Sequence, residues 1–269
     1  MQPIDTIDRD IMKKYCLDFT VVNNEAIHEL YSLLTLTPSD SSTSLPDILP
    51  GQFVQVRVDN AETFLRRPIS VNDVDRDNHT LSLLVRNAGE GSRWIMNRRQ
   101  GDTVNLMLPL GNGFGNIAES DNRPLLVGGG VGIAPMLYLG KCMSLQHRVR
   151  PAFLVGARSA SDVLQLQSLQ QWGDVFVTTE DGTMGEKGLV TASSVWNEEW
   201  TTVYCCGPAP MMKAIAQICK KKSLPCKVSL ENMMACGLGA CLCCVEKTVR
   251  GNVCVCTEGP VFDTADLTW

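Results

Sequence analysis

Six of the chain's 12 cysteines fall between positions 236 and 256. Cys236, Cys241 and Cys244 stand in the order C-x4-C-x2-C, with Gly237, Gly239 and Ala240 between the first two. Thiolates at that spacing can wrap a [2Fe–2S] cluster in the plant-type manner, completed by a distant fourth cysteine. The small residues suit such a wrap, which needs unusual backbone angles and brings amide N–H groups up to sulfur. Cys254 or Cys256 supplies the fourth thiolate. They lie two apart, so an extended strand points both to one face, and spacing does not choose. A structural zinc site is the competing chemistry, commonly built from two CxxC pairs. Here only Cys241–Cys244 forms one, and the later half is Cys-x-Cys. Plain buried thiols are the third reading. Cys243 and the unused member of the later pair read as bystanders. Cys16, Cys142, Cys219 and Cys226 read as ordinary core or surface thiols.

Two further signals suit a nucleotide. Leu125-Leu-Val-Gly128-Gly129-Gly130-Val131-Gly132-Ile133-Ala134-Pro135 reads as a strand, a glycine turn and a helix start. Glycines let backbone approach a pyrophosphate, and a helix N-terminus offers N–H groups and a positive dipole end. Pro135 suits a first turn, although it stands where GxGxxG has its last glycine. A tight βα turn is the plain alternative. Cys206-Gly207-Pro208 also follows an apolar strand and opens a helix, at the sheet edge where α/β ligands bind. Leu65-Arg66-Arg67-Pro68-Ile69-Ser70 begins a strand with two cations and a hydroxyl. Arg67 can bind a phosphate and Ser70 a ring nitrogen. Gly89-Glu90-Gly91-Ser92 is a second anion-ready turn before a helical stretch. A solvated arginine pair and an ordinary turn are the alternatives there.

The elements that must position these residues fall into three segments. Residues 10–118 read as a β domain, with strands at Gly51–Asp59, Thr80–Asn87 and Val104–Leu108 and a helix at Gly91–Arg98. Residues 119–223 alternate strands with helices, the mark of a parallel sheet. The strands are Pro124–Val127, Ala152–Val155, Val175–Thr178 and Val203–Cys206. The helices are Pro135–Gln146, Asp162–Gln171 and Met211–Lys222. Residues 224–269 form a short cysteine-rich segment, expected to bury little core and to depend on its metal centre. The pattern is therefore mixed α/β: a β barrel or sandwich, a parallel α/β domain with nucleotide-type turns and a small C-terminal segment with [2Fe–2S] spacing.

Composition narrows the function. The 269 residues carry 24 Lys+Arg against 29 Asp+Glu, a net charge of −5, which gives no basic face for nucleic acid. Three histidines and no HExxH exclude a classical zinc hydrolase. The start, MQPIDTIDRDIMKKY, has no apolar signal region, so the cysteines imply a reducing, cytoplasmic setting rather than secreted disulfides. The longest uncharged apolar stretch, Pro124–Gly140, is broken by glycines and reads as strand, turn and helix rather than a membrane span.

The order Arg67-Pro-x-Ser70, Gly89-x-Gly91-Ser92, Gly129-Gly-x-Gly132-x-x-Pro135, Cys206-Gly-Pro208 and then the cysteines resembles the ferredoxin–NADP⁺ reductase superfamily. The run from Glu231 to Glu246 and the tail Cys256-Thr-Glu-Gly-Pro-Val-Phe262 narrow it. They resemble the electron-transfer subunits of type B, NAD⁺-dependent dihydroorotate dehydrogenases. The resemblance implies a flavin-binding antiparallel β-barrel, a nucleotide-binding parallel α/β domain and a small C-terminal [2Fe–2S] segment. It implies that Arg67, Pro68, Ile69 and Ser70 bind FAD, that Leu84, Val85 and Arg86 line it, and that Gly91 and Ser92 hold its pyrophosphate. NAD⁺, as co-substrate, would take Gly129, Gly130, Gly132, Pro135, Cys206 and Gly207. Cys236, Cys241, Cys244 and Cys256 would ligate the cluster, because the family's last ligand directly precedes an acidic Gly-Pro-Val-Phe tail. Ser92 stands where relatives often have Thr, and Cys243 and Cys254 are extra thiols.

By the same resemblance, a partner catalytic subunit carrying FMN oxidises dihydroorotate in pyrimidine (UMP) biosynthesis. Electrons pass through the [2Fe–2S] cluster and FAD to NAD⁺ in a heterotetramer with two of each chain, and no acid–base residue is needed here. The rivals are another reductase of the superfamily serving ferredoxin, sulfide or an oxygenase, a flavin redox sensor without turnover, and a zinc-stapled binding module. Arg158 could meet a 2′-phosphate or be a solvated loop residue; the resemblance points to NAD⁺.

Overall fold

Alternating apolar residues in the first hundred positions close a barrel. In the computed structural model, which describes residues 13–60, 63–115, 117 and 121–269, six antiparallel strands form it. They are β1 (Tyr15–His28), β2 (Tyr31–Pro38), β3 (Phe53–Val56), β4 (Arg67–Asp75), β5 (Thr80–Arg86) and β6 (Thr103–Leu110), in the spatial order β1-β2-β5-β4-β3-β6. Phe19, Leu34, Leu36, Val54, Val56, Val71, Leu83 and Leu106 fill its interior. On β3 the alternation is strict: Val54 and Val56 point inward, while Phe53 packs outward into a second core. Helix α1 (Glu90–Met96) lies between β5 and β6. The expected segment limits at 10 and 118–119, and the start of the chain, fall outside the described residues.

The second unit is a seven-stranded sheet. Its parallel part begins with β7 (Pro124–Gly129), α2 (Ile133–Cys142), β8 (Ala152–Ala157) and α3 (Leu166–Trp172). It continues with β9 (Asp174–Thr179), the two-residue β10 (Glu186–Lys187), β11 (Thr202–Cys206), α4 (Ala209–Lys222) and β12 (Cys226–Ser229). From β7 the order runs outward through β8 and β9 to β10, then returns to place β11 on the other side of β7. The chain thus reverses between β7 and β11, the switch point where open α/β sheets bind ligands. Helix α3 starts four residues later than the sequence pattern suggests. Residues 160–162 form a 3₁₀ turn, and Gln165 takes a φ of 54°, which breaks the helix there.

Helix α2 joins the two units. Nine of its ten residues are buried, so it is enclosed rather than amphipathic. The Tyr138 hydroxyl donates to the Ile48 carbonyl at 2.8 Å. Lys141 Nζ reaches both Asp73 carboxylate oxygens, at 2.8 and 2.9 Å, and the Val74 carbonyl at 3.2 Å. These contacts span from the sheet's first helix to β4 and the loop before β3, and they fix the barrel against the sheet.

The cysteine-rich segment differs from expectation. After β12 come a hairpin, β13 (Val245–Thr248) and β14 (Gly251–Cys254), and then β15 (Val261–Asp263), which pairs antiparallel with β12 as the last strand of the sheet. Val228, Leu230, Val255, Cys256, Phe262 and Leu267 are buried in one core with Leu125, Val127 and Val203. The segment is therefore built into the sheet, and position 223/224 lies between α4 and a strand of that sheet. The expectation of little buried core fails because β12 and β15 were not recognisable as strands in a stretch read for its cysteines. Among the described residues no helix is long and apolar enough to cross a membrane.

Candidate flavin, cluster and nucleotide sites

The chain from Cys236 to Cys244 makes a tight loop. Gly237, Gly239 and Leu242 all have φ in the left-handed region, at 70°, 81° and 58°. That backbone turns amide groups toward sulfur. The N–H groups of Leu238 and Cys241 donate to Cys236 Sγ at 3.3 and 3.4 Å. Gly239 N–H donates to Cys256 Sγ at 3.1 Å, and Cys256 N–H to Cys244 Sγ at 3.4 Å. Burial opposes ionisation of Cys236, but the N–H groups of Leu238, Cys241 and Ala240 outweigh it and lower that thiol to about 6. Burial and the Cys244 thiol push Cys256 up to about 12. The loop thus offers sulfurs already met by N–H donors, which fits thiolate ligation of an iron–sulfur cluster. Among the described residues no group of three or more His, Cys, Asp or Glu side chains is gathered as if around a metal ion. Cys254 Sγ lies 3.9 Å from the Gly239 carbonyl, beside the same loop, and Cys243 is exposed.

The flavin-type motif sits on β4. Arg67 and Gly91 are in contact: a Cβ on Gly91 would meet the Arg67 guanidinium, so any larger residue there would push that side chain aside. This brings the Arg67–Ser70 strand against the Gly89–Ser92 turn. Ser92 Oγ donates to the Gly89 carbonyl at 3.0 Å and accepts the Ala88 N–H at 2.8 Å, so this hydroxyl closes the turn. Arg66 departs to the other side, to the Gln55 and Asn105 carbonyls and Asn105 Oδ1. On β5, Val85 points into the barrel core and offers only backbone, Leu84 packs toward α2, and Arg86 is exposed.

The two nucleotide turns meet at the switch point. Gly130 has φ 56°. A Cβ on Gly132 would fall 2.2 Å from the Cys206 carbonyl oxygen, and one on Gly129 2.7 Å from the Met211 sulfur. A Cβ on Gly207 would meet the Met211 methyl at 2.5 Å. The Gly129–Gly132 turn and Cys206-Gly207-Pro208 are therefore one packed surface at the C-terminal ends of β7 and β11. Pro135 is buried inside α2. The Cys206 thiol is enclosed, and burial with the nearby Glu231 charge raises its pKa far above the usual range. From the barrel, the Tyr31 hydroxyl comes within 3.8 Å of the Gly130 Cβ position.

A cavity of about 190 Å³ joins this edge to the cysteine segment, lined by Gly207, Lys213, Glu231, Asn232, Glu246 and Trp269 among others. A larger one, about 410 Å³, opens on the barrel beside Cys16, Asp18 and Asn105, and no glycine-turn or cluster-loop residue lines it.

Two residues in these surroundings escape a sequence reading. Glu231 lines the smaller cavity and is solvent-exposed over part of its surface; desolvation raises its carboxyl pKa, the Arg86 charge lowers it in part, and the Glu231 charge in turn acts on Cys206. Gln55 is 0% exposed with neither carboxamide atom partnered, and it packs on Gly237. Burying an unpaired amide costs about 1–3 kcal/mol on protein mutational scales. In a strand of alternating residues Gln55 reads as solvent-facing, and the cover comes from a loop 180 residues downstream. Arg158 is exposed and held by Asp162 at 3.0 Å.

In sequence the chain is similar to the "Dihydroorotate dehydrogenase B (NAD(+)), electron transfer subunit" of Bacillus pumilus, 35% identical over 95% of this chain and 98% of that protein. The subunit of the same name from Caldanaerobacter subterraneus subsp. tengcongensis is 42% identical over 79% of this chain and 84% of its own length. The chain belongs to the family of dihydroorotate dehydrogenase B electron-transfer subunits. The model of the iron–sulfur cluster binding domain of dihydroorotate dehydrogenase B matches residues 231–268, which hold the whole cysteine loop and Glu231. The oxidoreductase NAD-binding domain model matches residues 126–217, which hold both glycine turns. Among solved structures, the NADH-dependent reduced ferredoxin–NADP oxidoreductase described for flavin-based electron bifurcation superposes with a TM-score of 0.81 at 27% identity, over 93% of this chain and 90% of its own. The ferredoxin reductase of carbazole 1,9a-dioxygenase, at 17% identity and a TM-score of 0.67 over 80% of this chain and 68% of its own, shares the fold. The electron-transfer subunit family thus accounts for the barrel, sheet and cluster loop together, and FAD, a [2Fe–2S] cluster and NAD⁺ are the cofactor set that goes with them.

Proposed function

We propose that this chain carries electrons from dihydroorotate, oxidised on the FMN of a partner catalytic subunit, to NAD⁺ in pyrimidine biosynthesis. The observation that carries the reading is contiguity. The cluster loop touches β3 at Gln55, β3 pairs Gln55 with Pro68 of the flavin-type strand, and the barrel's Tyr31 approaches the Gly130 turn. These contacts make the three candidate cofactor positions neighbours, which supports a relay through this chain. FAD, when bound, supplies the exchange between one-electron and two-electron transfer.

The chain's own residues bind and orient. Arg67 would give a charge-assisted bond to a flavin phosphate, and Pro68, Ile69, Ser70, Leu84, Val85 and Arg86 would line the flavin. Gly91 leaves room for Arg67, and Ser92 fixes the pyrophosphate turn. Gly129, Gly130, Gly132 and Pro135 form the NAD⁺ turn, with Cys206 and Gly207 at its nicotinamide end. Cys236, Cys241, Cys244 and Cys256 hold the cluster. Functionally the chain divides at 10–118, 119–223 and 224–269, the last part also completing the sheet.

Around the cluster loop Met233, Leu238 and Leu242 are exposed, at 84%, 45% and 64%. An apolar patch next to a redox centre suits docking of the FMN-containing catalytic subunit, two of each chain forming the complex. The second reading, another reductase of the superfamily, draws on the 27% identity to the ferredoxin–NADP oxidoreductase. Co-purification from the native host separates them: a bound FMN protein that oxidises dihydroorotate supports the first, and a ferredoxin or oxygenase partner the second.

A further inference from the structure

We infer that the Gln55 carboxamide donates a hydrogen bond to the [2Fe–2S] cluster and so sets its reduction potential, a role that rests on the cluster reading above. Gln55 sits in the middle of β3 with 0% exposure. Its Nε2 and Oε1 both lack a partner, the one side chain among the described residues with two such buried atoms. Its backbone is spent in the barrel, where the carbonyl accepts from Arg66. The side chain projects from the barrel on the same side as Phe53, against the cysteine loop. A Cβ on Gly237 would come within 3.0 Å of Gln55 Cγ and 3.1 Å of Nε2, with Leu110 Cδ1 at 3.3 Å. The amide is therefore pressed on the residue that follows Cys236, with no hydrogen-bond partner for either of its polar atoms.

A polar group so enclosed is retained where a partner arrives with a ligand. The chemistry of that ligand follows from the place. The loop's backbone N–H groups already serve the cysteine sulfurs of Cys236, Cys244 and Cys256. Electron-rich sulfur is what remains to accept from a carboxamide donor at this position. Reduction adds negative charge to the cluster, so an N–H donor to sulfur stabilises the reduced form and raises the potential. Cross-strand from Gln55 stands Pro68 of the flavin-type strand, which has no N–H to compete for the amide.

The test uses the full chain with its cofactors bound. Gln55→Met keeps the volume and removes the donor. Iron and acid-labile sulfide should stay at the wild-type level. In an EPR-monitored redox titration, the reduced-to-oxidised ratio of the cluster at the wild-type midpoint should fall about tenfold, a 59 mV drop for one electron. The flavin midpoint should not move. An unshifted cluster potential, or a shift of the flavin alone, overturns the inference. A second measurement does not depend on the variant folding. With glutamine labelled with ¹⁵N in the side chain, pulsed EPR on the reduced wild-type cluster should detect a weakly coupled amide nitrogen, and its absence overturns the inference as well. Wild-type protein without iron brings down the cluster reading itself; an iron-replete wild type with neither signal brings down only the role of Gln55.

Discussion

Gly132→Ala should disable the nicotinamide site and leave the other two cofactors bound. The added Cβ would stand 2.2 Å from the Cys206 carbonyl oxygen, 2.5 Å from its carbon and 2.7 Å from the Gly207 nitrogen. All three are backbone atoms, so no side chain can swing aside. Relief requires the two turns at the switch point to part by about 1.3 Å, to reach ordinary non-bonded contact near 3.5 Å. Overpacking of this kind costs about 1–3 kcal/mol of stability. A displacement of about 1 Å in a positioning element costs on the order of 10²-fold in rate. Gly130→Ala is the control: its Cβ meets only the Tyr31 hydroxyl, at 3.8 Å. Its penalty is the left-handed backbone alone, about 1–2 kcal/mol. The assay is NADH oxidation with ferricyanide, alongside flavin and iron content. Gly132→Ala should lose most of its activity with full flavin and iron, and Gly130→Ala should lose much less. Wild-type KM and kcat for NADH in Gly132→Ala would refute the reasoning.

Arg67→Ala should weaken FAD retention by about 1.5–3 kcal/mol, the scale of a charge-assisted hydrogen bond, whereas Arg66→Ala should retain FAD, because its guanidinium is spent on Gln55 and Asn105; gel filtration with flavin quantification compares them. Cys236→Ser, Cys241→Ser, Cys244→Ser and Cys256→Ser should each lose iron and acid-labile sulfide, and Cys243→Ser should keep both; full iron in Cys256→Ser would transfer the fourth ligand to Cys254. Glu231 has a folded pKa raised above its ordinary 4.5, so the folded state holds this proton more tightly than the unfolded one. Its contribution to stability is present below 4.5 and is lost as pH rises through the raised value. Glu231→Gln should flatten that part of the melting-temperature profile, and an unchanged profile would show that folding does not raise this carboxyl's pKa.

The motifs at Arg67–Ser70, Gly129–Pro135 and Cys236–Cys244 were legible because each combines a rare residue type with a fixed local spacing. Strands such as Thr80–Arg86 were legible from alternation. What sequence did not disclose depends on tertiary cover. Cys226–Ser229 and Val261–Asp263 are short, and only their pairing with β11 and with each other makes them strands. Gln55 looks like the polar face of a strand until the cysteine loop closes over it. Glu231 is one acidic residue among 29 Asp+Glu, and only its place on the cavity wall, with charge effects from Arg86 and on Cys206, distinguishes it. Helix α3 was misplaced because Asp162, a good helix-start residue, instead bonds Arg158 in a 3₁₀ turn.

The central claim is that electrons reach NAD⁺ through the cluster held by this chain. Deleting residues 224–269 would not test it, since β12 and β15 would leave the sheet with them. Cys241→Ser removes a ligand from an exposed loop position and leaves every strand in place. In the reconstituted complex with the catalytic subunit, this variant should keep NADH oxidation by ferricyanide and lose dihydroorotate-dependent reduction of NAD⁺. Cluster-free Cys241→Ser complex that still couples dihydroorotate to NAD⁺ at the wild-type rate would contradict the relay.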